Sequence, residues 1–216
     1  MDMKRAVIFV NGNLSNIDQA KNIIKKDDRL IAADGAVGHI IKLGLIPSVI
    51  IGDMDSISPN LLEQSHLSPT ILIKYPTKKD KTDFELAVDY CLESKFEEII
   101  IFGVFGDRID HFIGNILLMA KVQNEKRSIK IKIIEDKKEI YILTEKIEIS
   151  GQVGDELSII PISSKLEGII TSGLEYKLDN ETLSLGSTRG ISNVFNSSLI
   201  TIKVRKGVAL VIHLRK

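Results

Sequence analysis

The feature that most constrains this chain is a change of hydrophobic period near residue 139. Up to about residue 135, short Val- and Ile-rich runs alternate with stretches of helical period, which is the rhythm of βα units around a largely parallel sheet. The strand candidates are RAVIFV (5–10), LIAA (30–33), SVII (48–51), TILIKY (70–75), EIIIFG (98–103) and IKIKII (129–134). Helices are expected near 16–26, 35–43, 59–65, 83–95 and 108–123. The fourth has a capping box, Thr82 with Glu85, and an apolar face of Phe84, Ala87, Val88, Cys91 and Leu92. The fifth would bury Ile109, Phe112, Ile113, Ile116 and Leu117. After residue 139 the pattern is period two: EIYIL, KIEIS, ELSIIPI, EGIITS, LITIKV and ALVIHL, separated by Gly, Asp, Asn and Ser turns. The expected architecture is therefore a Rossmann-like parallel α/β/α domain over residues 1–138, followed by an antiparallel β-sandwich or barrel over residues 139–216. The latter should end in a hairpin formed by TIKVRKGVALVIHL.

Composition narrows the function. Lys plus Arg number 29 and Asp plus Glu number 29, with no long basic block, so neither nucleic acid nor a membrane surface is indicated as a partner. A small-molecule substrate is the better expectation. Cys91 is the single cysteine, which excludes an intrachain disulfide framework and fits a reducing, cytoplasmic setting. The first apolar run is too short for a signal segment or a membrane span.

In open α/β sheets, ligands bind beyond the carboxyl ends of the strands, and the polar residues of this sequence gather there. Asn11, Gly12 and Asn13 follow the first strand, Asp34 the second, and Asp53 and Asp55 the third. Asp80, Lys81 and Asp83 follow the fourth; Asp107, Arg108 and Asp110 follow the fifth. Carboxylates converging with Lys and Arg point to a Mg²⁺–polyphosphate site, in which metal and basic side chains neutralise phosphate charge. Within IGDMDS, an extended chain would aim Asp53 and Asp55 the same way, about 7 Å apart. Two such charges invite a hard cation between them, whereas a solvated turn is the plain alternative. In the fifth helix Arg108, His111 and Asn115 would share one face near its start, where an anion is favoured, unless that face is simply the solvent side.

Other chemistries are poorly supported. There is no Walker A sequence, and Gly103, Gly106 and Gly114 do not make a dinucleotide fingerprint. His39, His66, His111 and His213 are too scattered for a zinc site.

Five segments, ADGA (33–36), GDMDSI (52–57), DKTDFELA (80–87), GDRIDHFIGNI (106–116) and GISN (190–193), resemble the thiamine pyrophosphokinase family in order and across both halves of the chain. Two positions depart from the family pattern: Ala36 and Asp107 stand where glycine is usual. The resemblance implies transfer of pyrophosphate from ATP to thiamine, giving thiamine diphosphate and AMP, in a homodimer whose site is shared between subunits. It implies that Asp53, Asp55 and Asp80 hold Mg²⁺, while Asp83 supports them or accepts the hydroxyl proton. Lys81, Arg108 and Asp110 would contact the polyphosphate or order its loop, with Asn11, Asp34 and His111 also on the ATP side. Ser192 and Asn193, from the other subunit, would line the thiamine pocket. A pyrophosphokinase acting on a pterin alcohol and a non-catalytic nucleotide or thiamine sensor are the competing readings.

Overall fold

Runs of Val and Ile buried on both faces form the inner strands of a parallel sheet, because only a strand covered on two sides can be apolar without alternation. The computed structural model describes residues 4–55, 57 and 69–216. Its strands β1 (Arg5–Phe9), β2 (Arg29–Ala33), β3 (Val49–Gly52), β4 (Ile71–Lys74), β5 (Glu98–Phe102) and β6 (Lys130–Glu135) lie in the order β6-β5-β1-β2-β3-β4, all pairs parallel. The order reverses at β1, which makes the carboxyl end of that strand a switch point where loops diverge and leave a crevice. The α-helices among the described residues are α1 (Ile17–Ile23), α2 (Val37–Lys42), α3 (Asp83–Glu93) and α4 (Ile109–Glu125). The helix expected at 59–65 lies outside the described residues.

Two helix starts have side-chain caps. The Asn16 side chain accepts the Gln19 N–H, and Thr82 Oγ1 accepts the Glu85 N–H at 3.1 Å, as its capping box requires. Helix α3 packs on β2 and β3 through a buried face that includes Phe84, Ala87, Val88 and Cys91. The face expected for α4 is only partly right. Ile116 is buried, but Ile109, Ile113 and Leu117 are 70%, 51% and 54% exposed, an apolar ridge at four-residue spacing. Met119, Ala120 and Val122 supply the buried side further along.

The chain divides into two compact units: residues up to Leu118 with Ile129–Asp136, and Met119–Ser128 with Lys137–Lys216. The second is rich in antiparallel strands. In it β7 (Lys138–Leu143), β14 (Ala209–Leu214), β9 (Glu156–Pro161) and β12 (Asn193–Val194) pair in that order. The strands β8 (Lys146–Ser150), β13 (Leu199–Lys203), β10 (Lys165–Ser172) and β11 (Asp179–Ser184) form a second four-stranded sheet. One apolar cluster joins Leu157, Ile159 and Val211 of the first set to Leu166, Ile169, Ile200 and Ile202 of the second, all at 0% exposure. The expected terminal hairpin does not form. β13 pairs with β10 and β8, while β14 pairs with β7 and β9. Between them Val204 N–H donates to the Glu145 carbonyl and Lys206 bridges to Glu167, so the link is tied to neighbours other than its own flanks. No helix among the described residues is long and apolar enough to cross a membrane.

Candidate active site

Because the strands of the first unit run parallel, the loops after β1, β2, β3 and β5 leave the same edge, and two of them interlock. Gly12 N–H donates to the Gly103 carbonyl at 2.8 Å and Asn13 N–H to the Phe105 carbonyl. A Cβ on Gly12 would fall on those same carbonyl oxygens, so this approach needs glycine. His39 Nε2 lies 2.8 Å from the Gly12 carbonyl oxygen and pins the loop from the other side. Burial lowers the His39 pKa, keeping a neutral ring that donates one N–H there.

The crevice beside these loops has a volume of about 510 Å³. Asn11, Asp34, Asp53, Lys81, Asp83, Arg108 and His111 all line it, as does Asn115. Arg108, His111 and Asn115 thus share the cleft side of α4 and its entry. Asp55, Asp80 and Asp110 do not line it.

Its acidic centre is built around a missing side chain. A methyl at Gly52 would meet Asp34 Cβ at 2.9 Å and Asp83 Oδ1 at 3.2 Å, so glycine lets these two acids approach the end of β3. Asp34 is 8% exposed, sits at φ +47, and its Oδ1 has no hydrogen-bond partner among the described residues. Ala36, two residues on, is fully buried with helical φ and ψ, which any L-residue adopts; the usual glycine is not needed there. Lys79 Nζ stands between two carboxylates, 3.0 Å from Asp83 Oδ1 and 3.6 Å from Asp53 Oδ2. Burial raises the Asp83 pKa; Lys79 opposes this, while the charges of Asp34 and Asp53 add to it. Burial also works against the Lys79 ammonium, but Asp83 and then Asp53 outweigh it and its pKa is raised. Sequence reasoning passed over Lys79. The usable signal was its i,i+4 spacing from Asp83, hidden among the other lysines of KKDKTD.

The strand does not continue extended through the paired aspartates. Met54 is left-handed at φ +68, and Asp53 Oδ1 accepts the Asp55 N–H at 3.1 Å, which turns the chain after Gly52. Asp55 Oδ2 accepts instead from Thr77 Oγ1 at 3.0 Å, tying the third loop to the fourth. Asp80 is exposed on that fourth loop. Lys81 reaches Asp89 at 2.6 Å, and Arg108 grips Asp110 with two bonds of 2.9 and 2.6 Å. The Arg108 bond is the main reason the Asp110 pKa is lowered. Asp107 is exposed on the cleft lining.

Ser192 and Asn193 belong to the second unit. Ser192 is exposed at φ +57, its N–H on Ser158 Oγ at 3.1 Å. Asn193 is 4% exposed; its Oδ1 accepts from Tyr176 N and Val194 N, and its Nδ2 donates to the Tyr176 carbonyl at 2.7 Å. Its amide therefore fixes the neighbouring loop.

The cleft offers hard oxygen donors around a position already facing positive charge, and an unpartnered oxygen on Asp34. That donor set suits Mg²⁺, which binds through one or two carboxylates and completes its shell with phosphate and water. No three His, Cys, Asp or Glu side chains among the described residues gather around one point, and such a mode of binding requires none.

Residues 20–133 match the model of the thiamin pyrophosphokinase catalytic domain, and residues 143–209 that of the thiamin pyrophosphokinase vitamin B1 binding domain. The chain is 32% identical to thiamine pyrophosphokinase of Bacillus subtilis (strain 168) over 212 residues, 97% of this chain and 98% of that protein. The crystal structure of thiamine pyrophosphokinase from Bacillus subtilis superposes with a TM-score of 0.88 at 30% identity, covering 99% of this chain and all of that one. A 6-hydroxymethyl-7,8-dihydropterin pyrophosphokinase of Pyrococcus furiosus is 30% identical over 105 residues, 46% of each chain.

Proposed function

Since the chain belongs to the thiamin pyrophosphokinase family, we propose that it transfers the terminal pyrophosphoryl group of ATP to the hydroxyethyl oxygen of thiamine, giving thiamine diphosphate and AMP. The observation that carries this reading is the presence, on one chain, of a cleft of carboxylates and cations and a segment matching a vitamin B1 binding domain. The thiamine hydroxyl oxygen attacks the β-phosphorus and gives up its proton, the bond from that phosphorus to the α–β bridging oxygen breaks, and AMP leaves with the electron pair. Such a displacement needs in-line positioning and charge neutralisation more than a strong side-chain nucleophile. Asp53, Asp55 and Asp80 are assigned to Mg²⁺, which neutralises polyphosphate charge when bound. Asp83, already engaged with Lys79, supports these ligands or accepts the hydroxyl proton. Arg108 and Lys81 exchange their carboxylate partners for phosphate oxygens, Asp110 orders Arg108, and Asn11, Asp34 and His111 line the ATP side.

The assembly we assign is a homodimer in which Ser192 and Asn193 of the partner subunit complete the thiamine pocket. The exposed ridge of Ile109, Ile113 and Leu117 supports an apolar contact between copies. The compartment we assign is the cytoplasm, in keeping with a single, buried cysteine. Incubation with thiamine, ATP and Mg²⁺ should yield AMP and thiamine diphosphate in equal amounts, with neither formed when thiamine is left out. Absence of AMP would sink the reading. The pterin reading has the shorter archaeal match in its favour; faster turnover of a pterin alcohol than of thiamine would decide for it.

A further inference from the structure

Asp34 and Asp83 approach the end of β3, and Asp83 and Asp53 face the same ammonium. The neighbouring cations are engaged elsewhere, Lys81 with Asp89 and Arg108 with Asp110, each at 2.6 Å. The Lys79 side chain is 14% exposed, so this is not a solvated surface pair. Part-buried carboxylates that face one another repel, and a counter-charge between them offsets that repulsion. Asp34 is more than nine-tenths buried with Oδ1 unpartnered among the described residues.

We propose that Lys79 is a positioning residue: an internal counter-ion that holds Asp53 and Asp83 in place before substrates arrive, then yields Asp53 to the divalent cation and turns to the polyphosphate. The inference rests on the pyrophosphokinase reading of the cleft. The unequal distances give the order of events: the 3.0 Å contact to Asp83 is the anchor, and the 3.6 Å contact to Asp53 is the one released. Lysine suits such an exchange because a single ammonium on a flexible stem changes partners without the fixed geometry of a guanidinium fork. The consequence is competition. Without nucleotide, a metal at Asp53 must displace a charge already there.

Titration of the full-length protein with Mn²⁺, followed by electron paramagnetic resonance without ATP or thiamine, tests this. Lys79→Gln should bind Mn²⁺ about tenfold more tightly than wild type, since a neutral amide offers no competing charge. The same variant should melt at a lower temperature in metal-free buffer and recover toward wild type when Mg²⁺ is added, while its kcat falls. Equal or weaker Mn²⁺ binding by Lys79→Gln would overturn the proposal. Should that variant not fold, Lys79→Arg provides the reading. A fork spanning both carboxylates should bind Mn²⁺ several-fold more weakly than wild type, and unchanged affinity would again overturn it. Because metal affinity is read without either substrate, loss of AMP formation from thiamine would reject the function while leaving this result standing.

Discussion

His213 Nε2 lies 2.8 Å from Asp155 Oδ2, with the two side chains 0% and 2% exposed. The ring stacks on Phe195 at a centroid distance of 4.7 Å, and its Nδ1 is 3.5 Å from Glu139 Oε2, which Arg215 and Tyr141 also approach. Asp155 further accepts the backbone N–H groups of Gln152 and Lys216, so it joins a turn, a strand and the end of the chain. His213→Ala should cost about 3 kcal/mol of stability, because it leaves a void and deprives a buried carboxylate of a partner. Urea denaturation checks this; a cost below about 1 kcal/mol would mean that the pair contributes little.

The same group sets an acid dependence. Burial acts to raise the Asp155 pKa, but Gln152 and Lys216 N–H and then His213 outweigh it, and the net shift is downward. A carboxylate with a depressed folded pKa contributes stability above its unfolded pKa, near 4, and loses it as pH falls through the lower folded value. Wild-type melting temperature should therefore fall more steeply below about pH 4 than that of Asp155→Asn. Parallel slopes would count against this assignment.

Gly52→Ala should disrupt the cleft while changing nothing else in sequence. The added methyl meets Asp34 Cβ at 2.9 Å and Asp83 Oδ1 at 3.2 Å, and Gly52 has φ +156. Displacing two acids by even a few tenths of an ångström should lower turnover at least about tenfold, with roughly 1–3 kcal/mol of stability lost. Wild-type activity would show that Asp34 and Asp83 need not be held so closely.

Most of the first unit was legible because its strands are short runs rich in Val, Ile and Leu, and because α1 and α3 start at side-chain caps, both local signals. What escaped the sequence was decided by distant partners. TIKVRKGVALVIHL has a good turn centre, yet its two strands serve different sheets because the shared core of Leu166, Ile200 and Val211 sets the pairing. DNETLS reads as polar because, of its residues, Leu183 alone is buried. The acidic centre was legible in composition but not in geometry. Nothing local shows that Met54 turns the chain between Asp53 and Asp55, or that one lysine of three lies between Asp53 and Asp83.

Asp55→Asn should keep the loop and lose the reaction. An amide oxygen still accepts the Thr77 hydroxyl that Asp55 Oδ2 now receives at 3.0 Å, so shape is retained while the charge assigned to Mg²⁺ is gone. Turnover should drop about a hundredfold, close to 3 kcal/mol of barrier. Near-normal turnover with an unchanged Mg²⁺ dependence would remove Asp55 from the metal site.

Arg108→Lys should be far from conservative. Arg108 is 69% exposed and holds Asp110 through two parallel bonds, a geometry that also fits phosphate and that a lysine cannot reproduce. Thermal stability should be unchanged within about 0.5 kcal/mol, while kcat/KM for ATP falls about tenfold or more. If the lysine variant used ATP normally, Arg108 would be an ordinary surface ion pair.

A site shared between subunits has a consequence that symmetry makes quantitative. The lesion on the β-rich side is best placed at Ser192, since Asn193 is consumed by three hydrogen bonds to its own loop and its loss would confound folding with binding. Ser192 is exposed, so Ser192→Arg adds bulk toward a pocket without entering the core. Asp55→Asn and Ser192→Arg homodimers should each be nearly inactive. After subunit exchange at equal concentration, half of the dimers are mixed. In each mixed dimer one site carries both lesions, and the other combines an intact Asp55 from one chain with an intact Ser192 from its partner. About one site in four should then recover. A pocket contained within one chain would recover none, because every such site keeps one lesion. Mixed dimers demonstrated by mass spectrometry with no return of AMP formation would therefore confine the pocket to a single subunit.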